Sequence, residues 1–316
     1  RARFSANTLR ARRSMRISAV ESEVGAPPRV EDDRSALQED PERIRRGRLP
    51  CGLRYTVIRN PKPRNKYEVH LQLPVGSVAE GDGENGMAHL MEHVTFVGNP
   101  HRRGVLASGT VSSNALTDFH HTVYFADSRN QKELEPVLLG LVQVAFRAII
   151  ADEVVEKEKD AILSEASMLN SMEYRIMQEE LSELHKETVM PKRLPLGTMD
   201  IIKKLTVEQA TKFYRKHYKP ANAHLYIIGD LDLEKAVESV ENMLHNFTPP
   251  ERTLDEETFP RAGMRPLYNH IYTSDRTQLP LKKPKVVEMP MKTGLTASLA
   301  TKEPIPSLGS LYDIKE

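Results

Sequence analysis

The pattern of apolar and polar residues predicts a series of strands separated by long helical segments. Residues 53–59 alternate between apolar and polar side chains, as a half-buried strand does, and a Pro-containing turn at 60–63 follows. Residues 66–75 alternate in the same way. Further strands are predicted at residues 111–116, 122–126 and 223–228.

Helical periodicity occupies much of the chain between residues 86 and 246. Helices are predicted at residues 86–97, 134–148 and 233–246, and an unusually long one runs from 152 to about 186. Thr206 and Gln209 fit a capping box, which predicts another helix ending near Tyr218. Strands in hairpin order mixed with long helices predict an α+β fold, in which helices cover one side of an antiparallel sheet.

Composition divides the chain into three parts. Residues 1–20 contain six Arg and no acidic residue, which is typical of an organelle transit peptide; a basic disordered arm is the alternative. The charged stretch 31–46 is typical of a linker, and order is expected to begin near Gly47. We therefore predict a transit-peptide-like and linker segment at 1–43, one folded domain at 44–247, and a Pro-rich linker or poorly ordered tail at 248–316.

Charge and cysteine content exclude several classes of function. Lys and Arg number 45 against 44 Asp and Glu, and a net charge of +1 predicts no bulk attraction to nucleic acid. The longest strongly apolar stretch, residues 137–146, is too short to cross a bilayer, so no membrane partner is predicted. The single Cys51 excludes an intramolecular disulfide and argues against a thiolate metal site.

A candidate metal site begins with His89-Leu-Met-Glu92-His93 in the first predicted helix. Positions i and i+4 lie one turn apart on one face, so both imidazoles can reach one cation. Glu92 borders the same face, where it can hold the attacking water and act as general base. Two solvated histidines on a surface helix are the alternative interpretation.

The long predicted helix carries a matching pair of carboxylates. Glu158 and Glu165 are seven residues apart, which places both on one helical face. A catalytic zinc site needs three protein ligands and one open position. One of the two carboxylates can bind the metal, and the other can hydrogen-bond a ligating histidine and fix its tautomer.

An inverted His-x-x-Glu-His motif followed by Glu-(six residues)-Glu resembles the pitrilysin-type zinc metallopeptidases, the inverzincins. The resemblance implies that His89, His93 and Glu165 bind one Zn²⁺ per chain. It implies that Glu158 supports a ligating histidine. The implied fold is one metallohydrolase domain of the type shared by LuxS and the mitochondrial processing peptidases.

A second segment agrees with this family. Ser113-Asn114-Ala115-Leu116-Thr117 resembles the family's Ser-Asn-Ala-x-Thr segment, an edge strand whose backbone, at Asn114 and Ala115, pairs with an extended peptide substrate. The nearby His120 and His121 match family positions that bind no metal. By resemblance, a second homologous half completes the chamber, and this chain has room for only one half.

Three functions follow from the resemblance. The motifs look most like those of the plastid processing peptidases, which implies a zinc endopeptidase of the chloroplast stroma that removes transit peptides. The zinc-bearing subunit of a mitochondrial processing peptidase, in the matrix, is the first alternative. A non-catalytic scaffold that binds peptides is the second, although such relatives lose the metal motif as a rule.

Overall fold

The computed structural model describes residues 42–246 except for residue 187, and these residues form one sheet and seven α-helices. The predicted segments at 1–43 and 248–316 lie outside the described residues, apart from residues 42 and 43. The six strands are β1 Ile44–Arg48, β2 Arg54–Arg59, β3 Tyr67–Leu73, β4 Val111–Thr117, β5 Thr122–Ser128 and β6 His224–Gly229. The helices are α1 Met87–Phe96, α2 Leu134–Phe146, α3 Asp152–Leu169, α4 Met172–Leu184, α5 Met199–Ile202, α6 Val207–His217 and α7 Leu233–Asn246.

The sheet has the strand order β1-β2-β6-β3-β5-β4, which confirms the α+β class. Four of its pairings are antiparallel, as predicted, but β2 pairs with β6 in parallel, so the sheet is mixed. Parallel neighbours need a long crossover connection, and the chain from β2 to β6 passes through six helices. Local sequence patterns do not predict this pairing, because β2 and β6 are far apart in the sequence.

The first strand begins earlier than predicted. β1 starts at Ile44, inside the stretch interpreted as linker, and pairs with β2 from Ile44↔Ile58 to Arg48↔Arg54. Three Arg in five residues hide any alternation, but an edge strand tolerates them because one of its sides faces water. At Gly47, an added Cβ would lie 2.3 Å from the ring of Tyr55, so a larger residue here would displace that ring.

The core lies between the sheet and helices α1, α2 and α7, each of which packs on the strands. Alternate residues of β3 point into it and are at most 1% exposed: Tyr67, Val69, Leu71 and Leu73. Eight of the ten residues of α1 are buried, and the two exceptions are His89 and His93. The core therefore surrounds α1 and leaves only its histidine face open.

The long helix predicted at 152–186 is two helices. α3 ends at Leu169, and α4 starts after Ser171, whose hydroxyl accepts a hydrogen bond from the Tyr174 N–H. Asn170 leaves the helical region at ψ 57°. Asn and Ser compete for backbone hydrogen bonds and favour helix ends, so this pair breaks a periodicity that otherwise continues.

In the described range, none of the helices combines the length and apolar character that crossing a bilayer requires.

Candidate metal centre

Helix α1 holds two imidazoles opposite a carboxylate from α3. The rings of His89 and His93 lie 4.8 Å apart, edge to face, as expected for neighbours one turn apart. Glu165 Oε2 lies 3.7 Å from His89 Nε2 and 3.6 Å from His93 Nε2. One ligand atom from each of these three residues lies within 4.8 Å of the other two, the arrangement that can hold a metal ion.

The donor set fits zinc. Two imidazole nitrogens and one carboxylate oxygen are the ligands of a catalytic zinc with an open fourth position. Zinc–ligand bonds of about 2.1 Å in a tetrahedron place ligand atoms roughly 3.4 Å apart, close to the distances from Glu165 to both histidines. Burial, and then the neighbouring His93, lower the pKa of His89 to about 4, so this ring is neutral near pH 7 and keeps a lone pair for a cation.

Glu158 contacts the other ring nitrogen of His93. Its Oε2 lies 3.3 Å from Nδ1 of His93, and its side chain is only 2% exposed. When His93 Nδ1–H donates to this carboxylate, the lone pair of Nε2 is left facing Glu165. The structure therefore brings both members of the predicted carboxylate pair to this centre. Glu165 lies beside the two Nε2 atoms, and Glu158 lies at Nδ1 of His93.

Glu92 lies beside the three candidate ligands without joining them. Its Oε2 is 4.0 Å from His89 Nε2, and the residue is 7% exposed. Burial raises the pKa of the Glu92 carboxyl to about 6, although His93 and a hydrogen bond from Thr117 oppose the rise. A carboxylate with a pKa near the working pH is suited to accept a proton from water and release it again.

Two residues that contact the helix were not predicted from sequence. Glu80 Oε1 accepts hydrogen bonds from the N–H groups of Gly86 and Ala88, at 3.1 and 2.9 Å, and so caps the start of α1. The hydroxyl of Thr117 donates to Glu92 Oε2 at 3.1 Å. The only sequence signal for Glu80 is an acidic residue ahead of the helix, and Thr117 is the last residue of the Ser-Asn-Ala-x-Thr segment, which does not predict a contact with Glu92.

Asn114 and Ala115 lie on β4, the last strand in the sheet order, which packs against α1. β5 pairs with one side of β4. The N–H of Ala115 donates a hydrogen bond to Oδ1 of Asn114 at 2.9 Å. Both residues therefore lie on an edge strand of the described sheet, as the family resemblance implied, and this strand packs against α1.

His120 and His121 occupy the turn between β4 and β5. The carboxylate of Asp118 accepts hydrogen bonds from both of their backbone N–H groups, each at 2.6 Å. Neither ring belongs to the group of ligands that can hold a metal.

Two family models match the sequence. Residues 55–200 match the one described as Insulinase (Peptidase family M16), and residues 204–313 match the one described as Peptidase M16 inactive domain. The first match contains every candidate ligand. The second starts before α6 and so includes β6, a central strand of the same sheet.

Curated relatives and solved structures agree with these matches. The chain is 40% identical over 228 residues to the chloroplastic stromal processing peptidase of Arabidopsis thaliana, covering 70% of this chain and 18% of the relative. It is 30% identical over 232 residues to a probable zinc protease, PqqL, of Haemophilus influenzae, covering 70% and 25%. The first half of the periplasmic protease PqqL from Escherichia coli superposes with a TM-score of 0.59 and 27% identity, over 64% of this chain and 46% of that chain. The chain thus spans a quarter or less of the length of these curated relatives.

Proposed function

Because the chain belongs to the insulinase, or M16, peptidase family, we propose that it is the zinc-binding part of an endopeptidase that cleaves extended peptides. The observation that carries the proposal is the convergence of His89, His93 and Glu165 beside a buried Glu92. A scaffold protein has no need for three metal ligands and a base in one place.

Each residue of the centre has a distinct role in this proposal. His89, His93 and Glu165 hold the metal, and Glu158 fixes the tautomer of His93. A bound zinc ion supplies Lewis-acid chemistry, since it acidifies water and polarises a carbonyl group. Glu92 accepts a proton from the attacking water and then passes it to the leaving amine.

The substrate is an extended peptide that pairs with the edge of β4 to which no described strand is bonded. Pairing through the backbone of Asn114 and Ala115 adds one strand to the sheet and grips a peptide without regard to most of its side chains. Because β4 packs against α1, a peptide added there passes the face that carries Glu92.

The similarity to a stromal processing peptidase supports a narrower role. We assign the transit peptides of imported plastid precursors as substrates and the chloroplast stroma as the compartment. Since the aligned part corresponds to 18% of that relative, a second homologous half, in the same protein or in another subunit, is assigned to complete the active chamber.

The test combines zinc content with cleavage. The chain, purified together with the second half that completes its chamber, and its Glu92→Gln and Glu153→Gln variants are assayed for bound zinc and for release of a transit peptide from a fluorescent plastid precursor. We expect one zinc per chain in all three proteins, and cleavage by the parent and by Glu153→Gln, an exposed control on α3. Glu92→Gln should retain zinc and lose cleavage.

Three results contradict this proposal. Absence of zinc from the parent would remove the metal centre, and an absence of both zinc and cleavage is the outcome expected of a scaffold. Cleavage by Glu92→Gln at the parental rate would remove the assigned base. Cleavage of an unrelated acidic peptide as fast as the precursor would contradict the narrower role while leaving the endopeptidase.

A further inference from the structure

Thr117 connects the substrate strand to the base. It is the last residue of β4, and its hydroxyl donates to Oε2 of Glu92 at 3.1 Å. The same oxygen faces Nε2 of His89 at 4.0 Å. The contact therefore acts on the oxygen of Glu92 that is nearest to the metal ligands, and it comes from a different part of the fold.

The neighbouring strand limits what the Thr117 hydroxyl can do. Thr122, which pairs with Thr117, is fully buried, and its own hydroxyl donates to the carbonyl of Val75 at 2.9 Å. Thr122 Oγ1 lies 3.4 Å from Thr117 Oγ1 and is left to act as an acceptor. The Thr117 proton thus has two acceptors, and the carboxylate is both the nearer and the stronger one.

Helix α1 is attached to the sheet independently of this contact. Thr95 of α1 and Tyr124 of β5 are fully buried and form a hydrogen bond of 2.6 Å between their hydroxyls. The core surrounds the rest of the helix. Loss of the Thr117 hydroxyl is therefore not expected to move α1, although it frees the Glu92 side chain to turn about its own bonds.

We propose that Thr117 is a positioning residue, whose hydroxyl holds the Glu92 carboxylate toward the metal ligands in the orientation needed for proton transfer. This inference rests on the proposed function, because it assumes that Glu92 is the base. A hydroxyl suits the task because it can also accept a hydrogen bond, so the contact persists while Glu92 carries the proton from water to the leaving amine. No bond to Thr117 is made or broken in that step.

Two substitutions separate the hydroxyl from the shape of the side chain. Thr117→Val keeps the volume and the β-branch but removes the hydroxyl, whereas Thr117→Ser keeps the hydroxyl. Ser112→Ala is the control, since it removes an exposed hydroxyl from the same strand. We expect Thr117→Val to lower kcat by about 10- to 100-fold, the usual cost of losing a group that orients a catalytic residue.

The other readouts distinguish positioning from a structural role. We expect the KM of Thr117→Val for the precursor to stay within about twofold of the parental value, because the substitution does not remove a substrate contact. We expect Thr117→Ser to retain most of the parental kcat. Zinc content and thermal midpoint should be unchanged in all variants. If Thr117→Val kept the parental kcat, if Thr117→Ser fell as far as Thr117→Val, or if the loss followed zinc content or KM, the inference would be overturned.

A measurement without zinc keeps this inference separate from the proposed function. Crystal structures of the zinc-free parent and of Thr117→Val compare the position of the Glu92 carboxylate relative to His89. We expect it to rotate away from His89 in Thr117→Val; an unchanged position would overturn the inference even if the parent cleaves peptides. Absence of zinc binding and cleavage in the parent would instead contradict the proposed function, while the carboxylate position would still decide whether Thr117 orients Glu92.

Discussion

Helices α1 and α3 both supply the candidate metal centre, but they are embedded very differently. Eight of the ten residues of α1 are buried, against five of the eighteen in α3. The histidine side chains on α1 are 12% and 18% exposed, whereas the Glu165 side chain on α3 is 36% exposed. The candidate base and two candidate ligands are therefore held by the core, and the third candidate ligand lies on the solvent side.

The difference assigns separate tasks to the two helices. α1 fixes the relative positions of His89, Glu92 and His93, because any movement of one of them must displace packed core side chains. α3 presents a narrow buried stripe, with Glu158 inside it and Glu165 at its border. Substitutions on α3 should therefore change metal binding more than folding, and substitutions inside α1 should change folding first.

The largest effect is expected at Glu165. Glu165→Gln removes the only carboxylate that faces both Nε2 atoms within the described residues, and we expect the affinity for zinc to fall by more than about 100-fold, beyond the range for residues that merely support a ligand. Isothermal titration of the metal-free protein with zinc measures this loss. The thermal midpoint of the metal-free protein should stay near the parental value, since Glu165 is half-exposed. An affinity equal to that of the Glu153→Gln control would remove Glu165 from the ligand set.

The next prediction concerns the stability lost when one apolar side chain is truncated in each of the two helices. Leu90 of α1 is fully buried, whereas Met168 of α3 is 78% exposed. Leu90→Ala should lower the free energy of unfolding by about 2–5 kcal/mol, and Met168→Ala should change it by less than about 0.5 kcal/mol. Urea unfolding of the metal-free proteins gives both values. Equal losses would show that α3 is packed as tightly as α1.

A smaller loss of affinity is expected at Glu158. Glu158→Gln keeps an oxygen that can accept from His93 Nδ1–H but removes the charge, and a support of this kind is worth about 10- to 100-fold in metal affinity. The affinity should fall less than in Glu165→Gln and more than in Glu153→Gln. A larger loss than in Glu165→Gln would reverse the roles assigned to the two carboxylates.

The same two helices show how far the sequence predicts the structure. The spacing of His89 and His93 and that of Glu158 and Glu165 follow from helical geometry alone, so each pair was placed on one face before the fold was known. That the two faces meet depended on the family resemblance, because no local pattern states which helices pack together. The Thr117–Glu92 contact joins residues 25 positions apart in different elements, and local patterns do not encode it.

The sequence failed to predict local structure where a few residues contradicted the pattern of a longer surrounding segment. β1 was hidden by its arginines, since its stability comes from pairing with β2 rather than from a buried face. The break between α3 and α4 was hidden by charged residues with helical periodicity on both sides. The preference of Asn170 and Ser171 for helix ends was the only signal of the break, and it was weaker than the helical periodicity of the thirty-five residues from 152 to 186.

The break between α3 and α4 yields the smallest prediction. The Ser171 hydroxyl accepts from the Tyr174 N–H at 3.2 Å and so satisfies one of the free donors at the start of α4. Ser171→Ala should therefore lower the free energy of unfolding by about 1 kcal/mol and speed hydrogen exchange at Tyr174. Ser167→Ala, an exposed site inside α3, is the control and should be neutral or slightly stabilising, because alanine favours the helix interior. If the two variants behaved alike, the hydrogen bond from Tyr174 to Ser171 would not be what separates α3, which carries Glu165, from α4.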